Sequence, residues 1–95
     1  MASVGSILKA LRVAKNISQG EMAQKLEVSQ NFLSLVENDK KTVSLTTLTN
    51  FAEKLNISKE FILIAASDIP PELTERQKKF FEKMQQSMLK YLTLK

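Results

Sequence analysis

Hydrophobic residues recur along this chain at three- and four-residue spacing, and short polar stops separate one run from the next. That period marks amphipathic helices, each laying an apolar stripe on a shared core. No segment sustains the period-two alternation of a strand. Val4, Ile7, Leu8, Leu11 and Ala14 define the inner face of a first helix over 3–15. Asn16 is its expected stop, since Asn tolerates the left-handed conformation just past a helix end. Ser18-Gln19-Gly20-Glu21 is a capping box: the Ser hydroxyl accepts from the Glu amide, and the Glu carboxylate reaches back. It opens a short helix over 19–26 with Met22, Ala23 and Leu26 inward, and Ile17 is placed to staple onto Met22.

Glu27-Val28 makes a turn, and Ser29 caps a third helix to about 37 with Leu33 and Val36 inside. A polar loop, 38–43, leads to Ser44, which caps a fourth helix bearing Leu45, Leu48, Phe51, Ala52 and Leu55 and stopped by Asn56. Ser58 caps a fifth, carrying Phe61, Ile62, Ile64 and Ala65. Asp68-Ile69-Pro70-Pro71 forbids helix continuation. Thr74-Glu75-Arg76-Gln77 is a second capping box, at the head of a long last helix. The expected fold class is all-α: a five-helix unit in 1–67, a Pro-containing linker in 68–73 and a C-terminal amphipathic helix in 74–95.

Composition narrows the chemistry. Ninety-five residues hold one core. There is no cysteine and no histidine, which removes disulfides, thiolate metal sites and the commonest general base. No enzyme activity, metal or other cofactor is expected. No apolar run is long enough to span a bilayer, and the start MASVGSILKA lacks a basic n-region and a small-residue cleavage site. The net charge of +4 permits a polyanionic partner without demanding one. It divides evenly, +2 in residues 1–67 and +2 in 68–95, so bulk charge is poor evidence for DNA binding.

Placement says more than total charge. Two short capped helices, 19–26 and 29–37, joined by a tight turn are the sequence form of a helix-turn-helix. Ala23 supplies the small residue where the helices cross, while Met22, Leu26, Val28, Leu33 and Val36 fall at the wedge positions. The exposed start of the second helix reads Ser29-Gln30-Asn31. Gln and Asn pair bidentately with adenine in the major groove, and a helix N-terminus favours phosphate. Lys40 and Lys41 follow where a flanking backbone strand would pass.

The motifs LKALR at 8–12, ISQGEMAQKLEVSQNFLSLVEN at 17–38 and SLTTLTNFAEKLNIS at 44–58 resemble the Cro/repressor-type (lambda-repressor-like, XRE) helix-turn-helix family. The resemblance spans about Leu8 to Ile64 and implies a five-helix bundle that binds double-stranded DNA, usually as a dimer on a palindrome. It implies base reading by Gln30, Asn31, Ser34 and Leu35, and backbone contacts from Gln19, Ser29, Asn38, Lys40, Lys41 and Thr42. Gln19 would meet a phosphate and brace Gln30. Arg12 and Glu37 match a structural salt bridge between the first and third helices.

Four positions make three departures from the family pattern. Glu27 and Asp39 stand where it often has Gly: Glu27 at a turn that can require positive φ, Asp39 in the loop that follows the third helix, and both with a carboxylate of the wrong sign for DNA. Leu35 is apolar where polar or basic residues are more frequent; a thymine methyl and a protein surface are both open to it. Phe32 is also apolar, with packing on the first motif helix as its alternative.

The last helix carries Leu73, Phe80, Phe81, Met84, Met88, Tyr91 and Leu92 at helical spacing, with Arg76, Lys78, Lys79, Lys83 and Lys90 over much of the other side. Because the five-helix core is complete without it, the expectation is a homodimer through Phe80, Phe81, Met84, Met88, Tyr91 and Leu92. Folding back on its own bundle is the alternative. The expected protein is therefore a cytoplasmic, bacterial or phage-encoded regulator, a repressor or autoregulator, with no small-molecule ligand and no membrane partner. The alternative is a protein-interaction module on the same fold, antitoxin- or antirepressor-like, using Phe32, Leu35 and the last helix.

Overall fold

A computed structural model describes residues 3–94; residues 1, 2 and 95, which belong to the expected end segments, lie outside it. Six helices follow one another: α1 (Val4–Ala14), α2 (Gln19–Leu26), α3 (Gln30–Glu37), α4 (Leu45–Leu55), α5 (Lys59–Ala66) and α6 (Glu75–Leu94). No strand occurs among the described residues.

Serines set where most of these helices begin. Ser3, Ser18, Ser29 and Ser44 each accept a backbone N–H of the first turn through the hydroxyl, each cap being worth about 1 kcal/mol. Ser18 and Glu21 close the expected box, and Thr74 and Gln77 close another at the head of α6. Ser58 differs: it occupies the N-cap position of α5 but makes no cap bond, because its hydroxyl donates to Glu60 Oε2 at 2.8 Å. That bond is the main cause holding the Glu60 carboxyl below the usual carboxylate range. Asn16 and Asn56 end α1 and α4 at φ 56°.

The core gathers Ile7, Leu8 and Leu11 from α1, Met22, Ala23 and Leu26 from α2, Leu33 and Val36 from α3, and Leu48, Phe51, Ala52 and Leu55 from α4. Ile62 and Ala65 of α5 and Leu92 of α6 complete it. Helix α1 packs on α3, α5 and α6, α2 on α3 and α4, and α6 lies along α5. Gly5 is what lets α1 approach α3: a Cβ there would stand 2.0 Å from the Val36 carbonyl oxygen.

Three inner-face expectations are corrected. Ala14 is exposed, because α1 ends there beyond the elements that cover its inner face. Leu45 is 60% exposed at the first position of α4, on the rim of a groove shared with Val4, Val43 and Leu63. Leu92 is the larger correction. It is wholly buried in its own chain, so it is core and not a dimer contact, and residues 1–67 do not complete the core alone. Tyr91 is half-engaged as well, its ring edge-on to Phe61 at 5.4 Å. Gln85 fixes the same half of α6 by donating to the carbonyls of Ile64 and Ser67 at the end of α5. Helix α6 thus folds back over its C-terminal half.

Candidate nucleic-acid interface

Helix α3 is held from below by a buried ion pair. Arg12 Nε donates to Glu37 Oε2 at 2.9 Å and Nη2 to Oε1 at 3.1 Å, a two-pronged contact between α1 and the last turn of α3. The Arg12 Nη1 group donates to the Ile17 carbonyl at 3.1 Å, tying in the strand of chain that enters α2. Gln19 Nε2 adds a third donor to the carboxylate, 3.2 Å from Oε1. A fully buried carboxylate needs this many partners to remain inside the protein. One carboxylate therefore fixes α1, the start of α2 and the end of α3 together.

Above this brace, Gln30 and Asn31 stand exposed on the first turn of α3, and neither side chain is hydrogen-bonded among the described residues. The Gln30 side-chain oxygen lies over Gly20, 3.4 Å from where a Cβ would be, so the bare glycine leaves room for it. Gln19 and Gln30 share no hydrogen bond; Gln19 turns to Glu37, because a buried carboxylate is the stronger acceptor. Ser34 is half-buried and its carbonyl accepts from Asn38 Nδ2 at 2.9 Å. Leu35 is 37% exposed.

The backbone-contacting candidates cluster in the following loop. Lys40 and Lys41 both donate their amides to the Leu35 carbonyl, at 2.8 and 3.2 Å, which draws the loop back over the end of α3. Ser29, Asn38, Lys40, Lys41 and Thr42 are all exposed. Phe32 packs against the core, and the Lys41 ammonium sits 5.3 Å from its ring centre. This cation–π contact keeps a flexible lysine beside the exposed face of α3. A Phe and a Lys nine positions apart carry no pattern that announces it.

The two carboxylates at family Gly positions are both accounted for. Glu27 (φ 60°) and Asp39 (φ 58°) occupy the left-handed region, as their turns require. Glu27 Oε2 pairs with Lys54 Nζ of α4 at 2.8 Å, and that partner holds its carboxyl below the usual range. Asp39 Oδ1 accepts from Ser3 Oγ at 2.6 Å, beside the N-terminus of α1. The positive end of that helix dipole suits a carboxylate. Neither negative charge is left unopposed near α3, and only tertiary contacts absent from the local sequence pattern decide that.

A family model described as helix-turn-helix matches residues 8–62. Neither a curated protein nor a solved structure matches the chain. No helix among the described residues is long and apolar enough to cross a membrane. The matched segment covers α2, its tight turn, α3 and the buried brace beneath them, and it takes in more than half of the chain; the protein belongs to the Cro/repressor-type helix-turn-helix family of DNA-binding transcription regulators.

Proposed function

We propose that the protein is a repressor or autoregulator that binds a palindromic operator, two copies placing α3 in successive major grooves about 34 Å apart. The observation that carries this reading is the pair of exposed, hydrogen-bond-free amides, Gln30 and Asn31, on the first turn of a braced helix. An α-helix with its side chains is about 10–12 Å across, which the major groove, about 12 Å wide, admits. Gln30 and Asn31 read base edges, with Ser34 and Leu35 flanking them. Ser29, Asn38, Lys40, Lys41 and Thr42 hold phosphates and fix the register. Gln19 reaches a phosphate only through the part of its amide that Glu37 leaves unused. Repression follows from occupancy: a bound dimer excludes polymerase from overlapping DNA.

Selection of bound sequences from random duplex DNA tests this. The expected result is a palindrome with half-sites one helical turn apart. Weak binding indifferent to sequence would refute base reading by α3. Gln30→Ala should then relax preference at one base position per half-site, at a cost of about 1–3 kcal/mol.

A further inference from the structure

Helix α6 carries two apolar faces, and the bundle uses one of them. Leu89 and Leu92 turn into the core, while Phe80 is 70% exposed. Leu73, Phe80, Phe81 and Met84, with Arg76 and Gln77, line an open groove along the N-terminal half of the helix. Within α6, residues 77, 80, 84 and 87 step alternately by three and four along this side, reading Gln, Phe, Met, Ser; Leu73 joins them from the turn before the helix, and Tyr91, next in the register, is already packed on Phe61. Such a 3.5-residue repeat is the seam by which one helix receives the knobs of another.

The charges beside the seam identify the kind of helix that fits. Arg76 and Lys83 stand one heptad apart on the same margin, and Lys79 lies just outside them. All three are exposed, and no ion pair engages them among the described residues. Pairing of α6 with its own copy along this seam brings no counter-charge to the margin. In a symmetric antiparallel pair this margin meets itself, cation against cation; in a parallel pair it meets the Phe81 and Met88 side, which bears no carboxylate.

We propose that this face of α6 docks an amphipathic helix of a different protein, apolar along its seam and acidic along the flank that meets Arg76 and Lys83. The surface is separate from α3 and stands whether or not the operator reading does. The full chain is titrated with two synthetic three-heptad peptides, each with Leu at the seam, one with Glu and one with Lys on both flanks. Fluorescence anisotropy should show binding of the Glu peptide, with amide shifts centred on Phe80 and Met84, and little binding of the Lys peptide. Phe80→Ala should weaken the Glu peptide about tenfold or more, and Lys83→Glu should reverse the preference between peptides. Both side chains are exposed, so unchanged circular dichroism and melting are expected of the variants. Equal affinity for the two peptides, no binding, or binding indifferent to Phe80→Ala would overturn the proposal. Self-association in sedimentation that Phe80→Ala abolishes would assign the face to a second copy and overturn it equally.

Discussion

Arg12→Met keeps a side chain of similar reach and removes the charge, so it isolates what the brace beneath α3 contributes. The Glu37 side chain is 1% exposed and that of Arg12 is 15% exposed, which puts the pair in the buried regime. The variant strips two donors from the carboxylate and one from the Ile17 carbonyl, leaving Gln19 alone to serve a buried charge. Breaking a buried pair from one side costs about 3–5 kcal/mol, against a total stability of roughly 5–15 kcal/mol for a small domain. At about 4–8 °C per kcal/mol for a domain of this size, the melting temperature should fall by some 12 °C or more. Thermal and urea melts followed by circular dichroism measure it. Removing both charges, in Arg12→Met with Glu37→Leu, should recover most of the loss, because no unpaired charge is then buried. A single variant within about 1 kcal/mol of the parent, as exposed pairs give, would refute the reasoning. So would a double variant as unstable as the two single losses added.

Other outcomes follow from contacts already described. Gly5→Ala should destabilise at or beyond the top of the ~1–3 kcal/mol overpacking range, since the added Cβ meets a backbone carbonyl and not a flexible side chain; an unchanged denaturation midpoint would count against the α1–α3 contact. Because Lys54 holds the Glu27 carboxyl below its ordinary value of 4.5, that pair stabilises the fold above about pH 4.5 and is lost as pH falls through the lowered value. Lys54→Met should flatten this acid-side part of a stability–pH profile, and an unaltered profile would dismiss the pair. Lys41→Ala should weaken all duplex sequences alike and lower the slope of affinity against salt by about one; a loss confined to one sequence would contradict its backbone role.

Local features of the sequence were legible to a degree that varied with how local they were. The bounds of α2, the Ser18–Glu21 box and the left-handed residue at Glu27 depend on neighbours a few positions away, so spacing and residue type suffice. The apolar face of a helix is equally readable, but what covers it is not. Helix α6 shows apolar residues around much of its circumference, and periodicity alone cannot say that Leu92 enters the core while Phe80 stays outside. Leu45 and Ala14 differ from expectation for the same reason: each lies on the apolar face at a helix end that neighbours leave largely uncovered. At the candidate site the motif located Gln30 and Asn31. The bonds from Gln19 to Glu37, Ser3 to Asp39 and Lys41 to Phe32 join residues distant in sequence and had no local signal.

The buried Leu92 bears on the order in which the protein is made. Its side chain fills the core beneath helices that are synthesised long before it, so a nascent chain reaches α3 well before the residue that closes the core. Until residue 92 is added, the bundle lacks the wall that α6 lays against α1 and α5. Closure of the core is thereby tied to synthesis of residue 92, and a fragment released before it would lack the side chain that seals the bundle.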